Sequence, residues 1–210
     1  MHTQRGETLV GLLVGLGLGL LVVFAGQRML AQHLRNERQT QTLLQAQIQL
    51  RDVVDLMLHT LQGAQGVPQA WKTRTGSQCL DVFCNGPEDF ALSGNQLEFT
   101  LDRNQDGVQD NNECLGFRLT SGEIKAKTAC SPVVWTSLTG LDHLRITALQ
   151  WQLRCTLHGQ MVQRWIDVEV HAQWPGNPSQ DWVQKQSVLL LNDVPVRSMA
   201  GLCGIPLTTN

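Results

Sequence analysis

The 210-residue chain has no tyrosine, and only 16% of its residues are charged. That charge fraction is low for a soluble domain, and it has a local cause: residues 8–27 include no charged side chain. Sixteen Lys and Arg against 18 Asp and Glu give a formal charge of -2. This excludes a nucleic-acid binder that relies on a basic field over its whole surface, and no direct nucleic-acid site is visible. The 6 cysteines contain no CxxC pair, so they read as disulfides rather than a zinc or thioredoxin-like site. HExxH, GxSxG, P-loop and dinucleotide fingerprints are also missing, and the 6 histidines (2, 33, 59, 143, 158 and 171) are scattered. The chain therefore reads as a non-enzyme. His171 reads as a solvated strand residue, and the 6 tryptophans as core and strand packing.

What is present begins with the uncharged run. At about 1.5 Å rise per residue, residues 8–27 reach roughly 30 Å, the hydrocarbon thickness of a bilayer. A cleaved secretory signal would have a shorter apolar region ending in small residues. Here the helical pattern continues past Gln27 without a turn signal, as expected of a retained membrane helix. Arg5 precedes the span while Arg28, Arg35 and Arg38 follow it, so basic residues do not favour a cytoplasmic N-terminus. The cysteines orient it instead. All lie after the helix, which puts that side in an oxidising compartment, the periplasm or exterior. Gly11, Gly15 and Gly19 recur at four-residue spacing and form one stripe where another helix can approach closely.

Beyond the span, Leu43, Ala46, Leu50, Val53, Val54, Met57 and Leu61 keep the spacing of one buried helical face. Gly63, Gly66 and Pro68 stop the helix. Strand alternation follows. Ile166, Val168, Val170 and Ala172 oppose Asp167, Glu169, His171 and Gln173, and Leu149, Trp151, Leu153 and Cys155 oppose Gln150, Gln152 and Arg154. Further strands are expected at 97–101, 114–119, 123–128 and 182–191, with hairpin turns at Ser121-Gly122 and His158-Gly159. The expected fold is α+β: a long N-terminal helix, membrane-spanning in its first half, packed on an antiparallel sheet head with disulfides.

The sharpest local motif is DRNQDGVQDNNE at 102–113. A twelve-residue calcium loop takes ligands from positions 1, 3, 5, 7, 9 and 12, with Gly at 6. Those positions are Asp102, Asn104, Asp106, the Val108 carbonyl, Asp110 and Glu113, with Gly107 at the turn. Gln109 at position 8 and strand-like flanks depart from an EF-hand. The expectation is an isolated loop holding a structural Ca2+; the competing reading is an acidic hairpin turn rich in Asx bonds to its own backbone. Cys79, Cys84, Cys114, Cys130, Cys155 and Cys203 allow fifteen pairings. Proximity in sequence favours Cys79–Cys84, Cys114–Cys130 and Cys155–Cys203.

The N-terminus resembles a type IV prepilin. Arg5-Gly6 matches the end of a leader, Thr8-Leu9-Val10 the stretch that follows it, and Leu12-Leu13-Val14 the start of the helix. The family usually has an aromatic residue where Glu7 stands, and Glu where Gly11 stands. The resemblance implies cleavage between Gly6 and Glu7 by a prepilin peptidase and N-methylation of the new terminus. The missing Glu at position 11 suits a subunit at a filament tip, with no neighbour ahead of it. CLGFRL-TSGEIKAKTAC, the Trp-x-x-Leu-Thr segment at 135–139 and LRITALQW resemble the PilW-like group of minor pilins, which is related to the minor pseudopilins of type II secretion.

The resemblance implies a division into a leader (1–6), a transmembrane and filament-core helix (7–27), an amphipathic helical half (28–62) and a β-rich periplasmic or extracellular head (63–210). It implies a single-pass inner-membrane subunit that later sits at a pilus tip or base. Its partners would be other minor and major pilins, the prepilin peptidase and the inner membrane. The implied function is to initiate a type IV pilus, or cap its tip, by helix packing. The alternatives are a membrane-anchored, calcium-dependent periplasmic binding or adhesion module, and a minor pseudopilin of a type II secretion system.

Overall fold

Helix α1 (Leu9–Gln62) runs for 54 residues in a computed structural model that describes residues 9–141, 144–175 and 177–204, with only the backbone for 177–180. Gly6 and Glu7 lie outside the described residues. The chain divides into two units, Met1–Leu44 and Gln45–Asn210. In the first, the helical residues leave their apolar side chains exposed all round, from Leu9 through Phe24 to Leu34. Such a stretch forms a stable helix in lipid, where every backbone group must be satisfied within the segment. It is long and apolar enough to cross a membrane.

In the second unit, the last turns of α1 bury Ala46, Leu50, Val53, Val54, Met57, Leu58 and Leu61. Their spacing makes one apolar stripe. After the helix come α2 (Ala70–Thr73), β1 (Arg74–Thr75), β2 (Gln78–Cys79), β3 (Phe90–Ser93), β4 (Gln96–Thr100), β5 (Cys114–Thr120), β6 (Glu123–Ala129), β7 (Val134–Ser137), β8 (Arg145–His158), β9 (Met161–Trp174), β10 (Asn177–Leu189), β11 (Val194–Pro195) and α3 (Val196–Cys203). Strands β3 to β7 form a five-stranded meander in sequence order. In a second, four-stranded sheet, β9 pairs with β8 on one side and with β10 and β11 on the other. A two-stranded ribbon joins β1 to β2.

All described pairings are antiparallel, and two tight turns set registers. Ser121 and Gly122 both have positive φ (55° and 85°), the type I′ geometry whose twist suits a two-residue hairpin. In the longest hairpin His158 faces Met161. Its turn is therefore Gly159-Gln160, one residue later than the sequence suggests, because His158 completes the ladder.

One cluster joins the elements of the second unit: Leu50, Val54, Met57 and Leu61 from α1, Phe99 and Phe117 from the meander, and Leu149, Ile166, Val168 and Val188 from the longer-stranded sheet. Phe117 bridges the two sheets, 6.2 Å from Phe99 and 6.4 Å from Trp151 between ring centroids. Each such buried side chain contributes about 1.5–3 kcal/mol of transfer free energy. Trp71 departs from the expectation of packed tryptophans: it is 74% exposed on the one-turn α2.

The C-terminal end of α1 is closed by polar groups from distant strands. The Leu191 N–H donates to Gln62 O at 2.9 Å, and Asn192 Nδ2 to Gly63 O at 3.1 Å. Arg74 donates to the Gln65 carbonyl and Arg164 to the Gln65 side-chain oxygen. A Cβ at Gly66 would stand 2.8 Å from Gly63 O, so this return of the chain requires glycine. Arg164 is fully buried, and burial, then the Arg74 charge, pulls its guanidinium down to about 9. The negative end of the helix dipole and the converging carbonyls offset that cost.

Candidate functional site

Residues 102–113 link β4 to β5, so the flanks are strands. Asp102 stands 6% and Glu113 1% exposed, while Asn104, Asp106 and Asp110 project into solvent. Asp102 accepts the N–H of Gln105 (2.6 Å) and of Gly107 (2.8 Å), whose φ is 79°. Asp106 Oδ1 accepts from the Val108 N–H at 2.8 Å. Glu113 reaches back across the loop, accepting from the Arg103 N–H at 2.7 Å and the Asp110 N–H at 2.8 Å. Asn104 Nδ2 lies 2.9 Å from Asp106 Oδ2 and 3.0 Å from Asp110 Oδ2. Its amide thus sits where positive charge is wanted between two carboxylates.

The loop is braced from a second side by the disulfide of Cys114 and Cys130. The Cys130 N–H donates to Asn111 O at 2.8 Å, and the Ser131 N–H to Asn111 Oδ1 at 2.7 Å. The donor set consists of four carboxylates, one side-chain amide and the Val108 carbonyl, hard oxygen ligands suited to Ca2+ rather than to a thiophilic metal. Asp102 and Glu113 turn their carboxylates toward backbone N–H groups, while Asp106 and Asp110 share the Asn104 amide. Among the described residues, Cys79, Asp81 and Cys84 bring their ligand atoms within 4.8 Å of one another, but both sulfurs are spent in a disulfide.

Cys79 is joined to Cys84, Cys114 to Cys130 and Cys155 to Cys203. The first closes a small loop over a buried ion pair, Arg74 Nε to Asp81 at 3.1 Å. The third ties α3 to β8.

On the outward face of the longer-stranded sheet, a groove of about 590 Å³ is lined by polar side chains. Arg154 makes a two-pronged bond to Asp167 (2.6 and 2.7 Å), and Lys185 pairs with Glu169 at 2.7 Å. His171 lies 3.2 Å from Asp181 and 2.8 Å from Glu169. These carboxylates, Asp181 first, hold the imidazole above its ordinary range, while Lys185 holds Glu169 below its own and Arg154 does the same for Asp167. The charges neutralise one another, and the Ser187 hydroxyl donates to the same Asp167 carboxylate that Arg154 holds. His171 is therefore a cross-strand ion-pair partner rather than a merely solvated residue.

In the first unit, Gly15, Gly17 and Gly19 face open space: a Cβ at any of them meets nothing within 4 Å. Gly11 lies on the same stripe of α1. Among the described residues, no contact requires glycine at 15, 17 or 19.

A family model described as PpdB, prepilin peptidase-dependent protein B, matches residues 39–190, from within α1 through β10. No curated protein and no solved structure matches the chain.

Proposed function

The chain belongs to the prepilin peptidase-dependent protein B family and is a type IV pilin-related protein, and from this we propose that it is a minor pilin of the PilW-like kind. Its task in this reading is to help initiate a type IV pilus or to cap its tip. The observation that carries the proposal is the exposed apolar surface of α1 from Leu9 to Leu34 in a pilin-like chain. A peptidase on the cytoplasmic face would cut between Gly6 and Glu7, after which the helix exchanges lipid for the helices of other minor and major pilins. Gly11, Gly15 and Gly19 would be the contact stripe, because small residues let helix backbones approach. The head would stay in the periplasm and choose neighbours.

The test is mass spectrometry of the chain co-expressed with a prepilin peptidase. Loss of residues 1–6 with gain of one methyl group is expected, and an unprocessed chain overturns the proposal. Deleting the gene in a piliated host should lower pilus number; a secretion defect with normal pili would assign it instead to the minor pseudopilins of type II secretion.

The donor spacing of residues 102–113 supports a structural Ca2+ bound by Asp102, Asn104, Asp106, the Val108 carbonyl, Asp110 and Glu113. The same loop favours a second reading, an anchored calcium-dependent binding or adhesion module. That protein would keep residues 1–6 in the presence of the peptidase.

A further inference from the structure

The two large sheets have four outer edges, and three are guarded. β3 and β7 are each four residues long, and short edge strands resist pairing with other chains. β8 carries a register irregularity between Ile146 and Ala148, and its Ile146 N–H is taken by Gly122 O. β10 is different. From Asp181 to Leu189 it pairs with β9 in unbroken register, and no described strand lies on its other side.

The direction of its free backbone groups follows from two bonds. The Leu190 N–H donates to Arg164 O on β9, whereas the Leu191 N–H turns away to Gln62 O. Antiparallel partners alternate between bonded and non-bonded pairs. Asp181, Val183, Lys185, Ser187 and Leu189 share the parity of Leu191, so their N–H and C=O groups face the open edge. Gln62 closes this row beyond Leu189.

We propose that this edge pairs with β10 of a second copy, antiparallel, in the register centred on Val183. That register is self-complementary. Asp181 of one strand, beside its own His171, faces Lys185 of the other, beside its own Glu169, twice by symmetry, and Val183 faces Val183. On the opposite face Trp182 meets Gln184. The Trp182 indole N–H is buried without an acceptor among the described residues, and the carboxamide oxygen across the pair supplies one. A register centred on Lys185 would oppose like charges, which disfavours it. The pairing is isologous, as a two-fold contact requires, and it is independent of how α1 packs among pilin helices.

The test uses the full chain in detergent micelles, followed by sedimentation equilibrium. The wild-type chain should form a concentration-dependent dimer. Asp181→Lys and Lys185→Asp should each raise its dissociation constant by about tenfold or more, and the double variant should restore it. Val183→Pro removes an outward N–H without breaking the β9 ladder and should also weaken the dimer, while Val183→Ala should change it far less. A monomeric wild-type chain overturns the proposal. So does a dimer unaffected by these substitutions, which would be held by α1 instead, or a double variant as weak as the singles. Processing by the peptidase is unaffected in every case, so the two proposals fail separately.

Discussion

Asp89 is the side chain whose ionisation works against the fold. It stands 2% exposed in the 3-10 turn Pro87–Asp89, and its carboxylate accepts from the Gly86 N–H at 2.8 Å. Burial, aided by the charges of Glu88 and Asp81, outweighs that bond and pushes it from 3.8 up to about 6. The folded chain therefore holds this proton more tightly than the unfolded chain, so stability falls as pH rises from about 4 to 6 and changes no further above that. Asp89→Asn should remove this slope and add about 2–3 kcal/mol at pH 8. Urea melts of both chains at pH 4, 5, 6 and 8 read the difference; parallel curves would show that the carboxylate ionises freely. Arg164 shows what the sequence held without displaying. It shares the inward parity of Ile166, Val168 and Val170 on β9, so alternation alone places it inside. Its partner Gln65 is 99 residues away, and no local pattern reveals such a contact.

At the level of elements, long ones announce themselves and short ones do not. The inward stripe of α1 and the alternation of β8 and β9 repeat often enough to fix a period. β1, β2 and β11 have two residues each and show no period at all. Helix α3 has eight residues, with a glycine at 201; its docking rests on Cys155–Cys203, a bridge closing a separation of 48 residues. In the chain-entropy model such a loop is worth about 4 kcal/mol. Replacing both cysteines by serine should therefore lower stability by roughly 2–4 kcal/mol and open residues 196–203 to proteolysis, with the rest of the head still folded. Equal protease resistance in both chains would show that α3 holds by packing alone. The 102–113 loop makes a different demand. Its spacing was readable, but which way its carboxylates point depends on what they bond. If Ca2+ binds, a concentration one hundred times its dissociation constant should stabilise the head by about 2.7 kcal/mol. Asp106→Ala should abolish that gain with little change in metal-free stability, since Asp106 is exposed and bonds only within the loop. A thermal melt indifferent to Ca2+ would leave the loop an Asx-bonded turn.

For the molecule as a whole, the two units answer to different solvents. Gln45–Asn210 satisfies itself in water: most of its buried apolar side chains share one cluster, and three disulfides brace its loops and α3. Residues 9–41 are exposed throughout, so their apolar surface is stable only against lipid or other helices. A substitution at the glycine stripe should then separate folding from assembly. A Cβ at Gly15 meets nothing within 4 Å, and leucine there replaces a poor helix former with a good one. Gly15→Leu should therefore leave the melting curve of the head unchanged and insert into membranes at least as well as the parent. If α1 packs through this stripe, the added side chain holds neighbouring helices apart, and incorporation into sheared filaments should fall several-fold. Gly17→Leu, on another face, provides the comparison. Equal incorporation of the two variants would place the contact elsewhere on the helix, and loss of membrane insertion by either would show that the glycines serve the bilayer rather than a neighbour.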